Sequence, residues 1–285
     1  MKFRKSITIL TLAIGVLALI ASVYGVFSSA GQKGIEFTSL HDEVVKLHGG
    51  GLYKNESVSM VAQAVAQDVV TLCFGVPLLM VALILTRKGL LKGKLLFAGI
   101  LGYFLYTYVS YTFYAMYNSL FLVYVAIMSC SFFAFTLTMI SFDLKKMHTQ
   151  FSSKLPVKFI GSVLIFIALL VALMWLEMLT HRVPDGLDHY TTLVIQALDL
   201  GFVVPIAILS GVLLMKRNAY GYLLSSVIIV KEAALLIAII AMLIGQKNSG
   251  VNVGVIESIL FPLFLAIVIF CLYLMMKNIK EGKKI

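Results

Sequence analysis

The sequence predicts an all-α integral membrane protein of eight transmembrane helices. Three observations carry that expectation. Of 285 residues, 61% are hydrophobic and only 13% are charged, and the mean hydropathy is +1.01, well outside the range of soluble globular chains. Eight stretches are each apolar over the roughly 20 residues needed to cross about 30 Å of hydrocarbon. Lys and Arg gather at alternate ends of those stretches, as they do where positive charge is retained on one side of a bilayer.

The expected spans run at about 7–28, 59–85, 95–115, 119–141, 157–180, 190–215, 221–244 and 255–276. With the N-terminus inside, the inner segments hold Lys2, Arg4 and Lys5, then Arg87, Lys88, Lys92 and Lys94, and then Lys145, Lys146, Lys154 and Lys158. Lys216 and Arg217 follow, and Lys277, Lys280, Lys283 and Lys284 close the series. Lys33, Lys46, Lys54, Arg182 and Lys247 fall outside, and Lys231 falls within a span. This pattern predicts a plasma-membrane protein with both termini cytoplasmic. The opening "MKFRK", with an apolar run and "SSAG" behind it, also has the form of a cleavable signal peptide, which would leave seven spans. The run from Ile7 to Phe27 is longer than a usual signal core, which favours an uncleaved first span.

The net charge of +10 lies in short clusters between apolar stretches, so it reports topology and not a nucleic-acid surface. Cys73, Cys130 and Cys271 all sit in apolar stretches without a CxxC pair, and they read as packing residues, not as a disulfide or zinc framework. Between about Ala30 and Ser57 lies the only sizeable loop. Its "EFTSLHDEVVKLH" is expected to form a short amphipathic helix ended by "GGGLY". His41 and His48 would then share a face, but with no third ligand at fixed spacing the expectation is no metal site.

Spans two and six read alike: "GLYKNESVSMVAQAVAQDVVTLCFGVPLLMVALILTRKG" and "GLDHYTTLVIQALDLGFVVPIAILSGVLLMKRNAYG". Each has Gly-Leu, hydroxyl residues, Gln, Asp, then Gly and Val-Pro, with Pro77 to Lys88 spaced like Pro205 to Lys216, but the Gln and Asp are out of register, because Asp68 precedes its proline by nine residues and Asp199 by six. The chain is expected to be one transmembrane unit, 1–285; if the likeness reflects a duplication, its halves 1–145 and 155–285 are two parallel four-helix repeats. Chance similarity between apolar helices is the competing explanation.

Ionisable groups inside a bilayer cost several kcal/mol unless partnered, so each is a candidate for function. Glu177 and Glu257 lie near span ends and are expected at the interface. Asp68 and Asp199 lie deeper, roughly 10 to 12 Å below the surface at 1.5 Å per residue. Gln63, Gln67 and Thr71, flanked by Asp68, form one polar stripe; Thr192, Gln196 and Asp199 form another. Two such stripes either enclose a polar or cationic ligand or hydrogen-bond to each other. Lys231 and Glu232 are adjacent and point about 100° apart, so Lys231 is expected to pair with Asp199 or Asp68. Tyr103, Tyr106, Ser110, Tyr114 and Tyr117 fall on one face of span three, and Tyr108 and Tyr111 off it. This hydroxyl ladder, from which Tyr106 is taken as the candidate ligand residue, suits a cavity wall or stacking on a flat ring such as a quinone. Pro77 and Pro205, near Gly75 and Gly201, predict kinks below the stripes.

At "GLYKNESVSMVAQAVAQDVV", "GYFLYTYVSYTF", "YNSLFLVYVAI" and "YTTLVIQALDLGFVVPIAILSGVLL" the chain resembles a family of bacterial multi-spanning inner-membrane proteins. The resemblance covers most of the chain and implies a prokaryotic inner membrane and a single unit. It assigns no activity, cofactor or site residue. The chain has no Walker loop, HExxH, GxSxG or paired haem histidines, which removes ATP-driven transport, zinc proteolysis and bis-histidine haem from consideration. The remaining reading is a secondary carrier or permeation protein for a small polar or cationic solute. Gln63, Gln67, Asp68, Gln196, Asp199 and Tyr106 would form the ligand path and Lys231 the counter-charge. Alternatives are an intramembrane redox or lipid-modifying enzyme acting on a lipid or quinone, and a sensor or assembly protein using the outer loop.

Overall fold

The computed structural model describes residues 3–28, 34–180 and 187–281. Residues 29–31 of "SSAG" and the charges Lys2, Lys33, Arg182, Lys283 and Lys284 lie outside them. Eight helices are long and apolar enough to cross a membrane: α1 (Arg4–Ser28), α2 (Val58–Arg87), α3 (Leu91–Phe113), α4 (Phe121–Ile140), α5 (Val157–Met178), α6 (Val194–Met215), α7 (Ala219–Asn248) and α8 (Val255–Lys277). Because eight is even, both ends of the described chain share one face, called proximal below; the opposite face is distal.

The helices are arranged around a central pair. The windows of α3 and α7 are 61% and 50% buried within the protein, against 22% for α5 and α8, so α3 and α7 are the spans that other spans cover. They touch backbone to backbone at Gly99, where a Cβ would lie 2.3 Å from Val230 Cβ and 2.9 Å from Val227 O. Around α3 pack α2 and α4, with α1 lying against both of these; around α7 pack α6 and α8, with α5 reaching it by way of α6. The two sides are unequal. α2 leans across onto α7, whereas α6 barely reaches α3, and a cleft remains there.

Local sequence explains the unusual geometry of α2 and α6. Ser57 caps α2, its hydroxyl accepting the Met60 N–H at 3.2 Å. Halfway along, α2 widens into a five-residue π turn, Thr71–Gly75, and α6 has one nearer its start, at Asp199–Val203. In each case the next residues are Val-Pro and a regular segment of 12 residues follows. The N–H groups of Val76 and Val204 bond back five residues, to Thr71 O and Asp199 O. Proline supplies no N–H and its ring crowds the carbonyl four residues earlier; a wider turn relieves that clash without breaking the helix. The expected kinks are therefore π turns, and Asp199 is the first residue of one of them.

The distal segment between α1 and α2 corrects one expectation. "EFTSLHDEVVKLH" is a β-hairpin, β1 (Glu36–Thr38) against β2 (Val44–Lys46), antiparallel with Phe37 opposite Val45. Val44 and Val45 are β-branched and favour strand, and Asp42 turns the chain with φ 61°. His41 and His48 consequently share no helical face, and among the described residues no cluster suited to a metal is found.

Substituting Gly99 by Leu should separate α3 from α7, and we expect a fall in melting temperature of the purified protein corresponding to 1–3 kcal/mol or more. Gly201→Ala, where the added Cβ meets nothing within 4 Å, should melt like the parent chain. Equal melting of the two variants would contradict the central packing described.

Candidate functional site

Between α3, α7 and the distal half of α2 on one side, and α5, α6 and α8 on the other, lies a cavity of about 360 Å³. It opens because α6 does not close onto α3. It reaches from Gln63, Tyr114 and Gln246 at its distal end to Leu164, Ala207 and Val268 at mid-depth. Apolar side chains dominate the wall, and a tightly packed core including Phe151, Leu155 and Tyr222 fills the proximal end below.

The polar groups of the wall are few. Asp199 projects from the π turn of α6 and is buried. Its Oδ1 accepts the Tyr106 hydroxyl at 2.8 Å and its Oδ2 accepts the Trp175 indole N–H at 3.0 Å. Both donors are neutral, and among the described residues Asp199 makes no ion pair within 4.0 Å. Lys231 does not serve it. The ammonium of Lys231 donates to Glu232 Oε1 at 2.9 Å and lies 4.1 Å from the centre of the Tyr106 ring. The expected pairing of Lys231 with Asp199 or Asp68 is thus corrected: the four-carbon stem carries the charge around the helix to its neighbour, overcoming the 100° offset. Glu232 itself lines the cavity.

Among the described residues no hydrogen bond joins the two stripes; Gln67 and Asp199 are each bonded to a tyrosine of α3. Gln67 donates to Tyr103 Oη at 2.6 Å and to Thr71 Oγ1 at 3.3 Å. Gln67 and Gln63 reach the cavity wall, whereas Asp68 turns away from it. Asp68 accepts the hydroxyls of Tyr53 at 2.6 Å and Tyr111 at 3.3 Å and sits so close to α1 that a Cβ on Gly25 would be 1.9 Å from its Oδ2. Gln196 also leaves the path, reaching Met178 Sδ at 3.6 Å, and Thr192 precedes the helix. Of the ladder, Tyr106, Ser110 and Tyr114 line the cavity, Tyr103 is occupied by Gln67, and Tyr117 is exposed beyond the helix end. Tyr111, assigned off the face, lines it as well.

A lid crosses the distal end. Glu56, only 2% exposed, accepts the Met116 N–H at 2.7 Å from the α3–α4 connection and the Tyr190 hydroxyl from the α5–α6 connection. Tyr190 stacks on Tyr114 with centroids 4.4 Å apart, and its carbonyl lies 3.0 Å from His41 Nε2 on the hairpin. One carboxylate therefore ties three connections above the cavity. Burial pushes the Glu56 carboxyl above its ordinary value, opposed in part by the Tyr190 and Met116 hydrogen bonds, and burial beside Glu56 pushes the Tyr190 phenol up as well.

Sequence reading missed Glu56, Trp175 and the cavity-facing role of Glu232. Trp175 carried a signal, being the only tryptophan in the chain; Glu56, in the polar "KNES" before a helix cap, looks solvated. No family model matches the chain, and neither a curated protein nor a solved structure matches it.

A carboxyl whose value rises on folding contributes stability that is full below its unfolded value and is lost as pH climbs through the folded one. Melting temperatures of the parent protein should therefore fall relative to Glu56→Gln as pH is raised from the ordinary carboxyl value of 4.5 toward neutrality. Parallel melting curves across that range would show that Glu56 is not held as described.

Proposed function

We propose that this protein is a secondary carrier for a small organic cation with an apolar body, bound in the cavity with Asp199 as its counter-charge. The observation that carries the reading is a charge imbalance among the described residues: two carboxylates, Asp199 and Glu232, face a mostly apolar cavity whose lining includes no cation, and the ammonium of Lys231 beside it is already paired to Glu232. A lone carboxylate in such a place is costly, and a monovalent cation compensates it. The Tyr106, Tyr111, Tyr114 and Trp175 rings surrounding that space suit a weakly hydrated ammonium by cation–π attraction. A neutral quinone or lipid tail would fill the volume but leave the charge uncompensated, which is why the cationic solute is preferred to the enzyme reading.

The ligand path of this proposal consists of Asp199, Tyr106, Gln67 and Gln63, with Lys231 and Glu232 as a neighbouring clasp. Asp68 and Gln196 serve packing. Matching π turns before Val76-Pro77 and Val204-Pro205 support a duplication of halves 1–145 and 155–285, with the two turns as the hinges about which the carrier opens. We place the protein in a bacterial plasma membrane with the proximal face cytoplasmic, in keeping with its positive charge.

Trp175 is the sole tryptophan and touches the proposed counter-charge, so its emission reports binding directly. Titration with benzyltrimethylammonium should shift or quench that emission saturably, whereas neopentylbenzene, its uncharged counterpart, should do so at least tenfold more weakly. Asp199→Asn should weaken the ammonium response tenfold or more and abolish its uptake into proteoliposomes; Asp68→Asn should leave both within about twofold. Indifference of the response to Asp199→Asn would refute the reading.

A further inference from the structure

A second cavity, of about 550 Å³, lies on the proximal face where α1 begins, α2 ends, α3 begins and α4 ends. Arg4, Arg87, Lys94 and Lys146 line it with a single carboxylate, Asp143. Asp143 sits 3.7 Å from Lys146, and among the described residues the other three cations have no ion pair. Lys94 is held in place: its ammonium donates to Ser141 O at 2.7 Å and lies 4.1 Å over the Phe142 ring. The cavity is thus an excess of fixed positive charge at the level where hydrocarbon meets water.

The chain itself shows that an anion is accepted at its edge. The start of α3 has no side-chain cap of its own, and the carboxylate of Glu281 fills that role, taking the N–H groups of Leu91 and Lys92 at 2.9 Å each. Backbone pairing delivers it: Phe151 bridges Ile279, Ser152 N–H donates to Asn278 O, and Lys280 N–H donates to Gln150 O. A two-pronged acceptor on a helix N-terminus beside a basic cavity is the geometry by which oxyanions are held. Ile84, one turn before Arg87, and Ile140, next to Ser141, are 53% and 61% exposed, apolar side chains against which an acyl chain can lie while its headgroup reaches the cations.

We propose that this cavity binds a phosphate ester, supplied as the headgroup of an anionic membrane lipid, and that Glu281 lies beside it as an internal competitor. Arg87 and Lys94 contribute the charge, and Glu281 tunes the affinity. The site is independent of the central cavity, from which it is separated by the packed proximal core.

The test is retention of phosphatidylglycerol against phosphatidylcholine by the full-length protein in a zwitterionic detergent, read by native mass spectrometry. Phosphatidylglycerol should bind preferentially. The double variant Arg87→Gln, Lys94→Gln should weaken its binding about 30-fold, and the charge-preserving pair Arg87→Lys, Lys94→Arg should restore it, separating lost charge from lost fold. Lys158→Gln, an exposed lysine on the same face outside the cavity, should change it less than twofold, and Glu281→Gln should strengthen it several-fold. Displacement of the lipid by sn-glycerol 3-phosphate at comparable concentration would reassign the site to soluble phosphate esters and overturn the lipid half of the proposal. Equal phosphatidylglycerol retention by the parent, the double variant and Lys158→Gln would overturn the site altogether.

Discussion

Hydrocarbon does not solvate charge, and that single constraint organises the interior of this protein. Among the described residues the carboxylates and the ammonium deep in the spans, Asp68, Asp199 and Lys231, all have partners. Asp68 takes two tyrosine hydroxyls and settles against Gly25; Lys231 reaches around its own helix to Glu232 and rests on Tyr106. Among the described residues Asp199 has hydrogen bonds but no opposite charge. Donors of neutral hydrogen bonds orient a carboxylate and solvate it locally, but they leave its charge in place. The difference between Asp68, which the fold encloses on all sides, and Asp199, which the fold leaves facing open volume, separates a structural carboxylate from a candidate binding one.

The open volume follows from an asymmetry of packing. α3 and α7 meet at Gly99, and α2 spans the distal junction between them, tied to α7 by Gln246 donating to Ser59 Oγ at 2.9 Å. On the other side α6 stays clear of α3, joined to it by the Tyr106–Asp199 hydrogen bond. That bond is the bridge across the cleft, and it begins in a π turn. π turns store an extra residue at a cost in helical regularity and recur where helices bend or bind. In α2 the equivalent turn presents Thr71, whose hydroxyl is satisfied by Gln67 O at 2.9 Å, so the same backbone device is closed in one span and exposed to the cavity in the other.

Much of the fold was legible because a bilayer admits few solutions: eight apolar stretches with alternating charge become eight helices, and their ends shift by only a few residues. The hairpin was not legible, since "SLHDEVV" satisfies helical spacing while the branched Val44 and Val45 and the φ of Asp42 favour a turn between strands. At the site, Asp199, Tyr106, Gln67 and Gln63 were identifiable as polar groups on apolar helices. Their partners were not, because direction depends on details finer than spacing. The π turn re-aims Asp199; the flexible Lys231 stem defeats a 100° offset; and the tyrosines of α3 are divided among Gln67, Asp68 and Asp199 by tertiary packing. Glu56 escaped notice since a charged residue beside "NES" resembles ordinary loop chemistry until two distant connections fold over it.

The distal cavity is proposed to hold one positive charge beside Asp199. Native mass spectrometry of the gently purified protein tests it most directly. The account predicts that the parent protein carries a small organic cation, that Asp68→Asn retains the same mass, and that Asp199→Asn loses it. Retention of an identical ligand by Asp199→Asn, or co-purification of a neutral ring compound that survives that substitution, would contradict the claim.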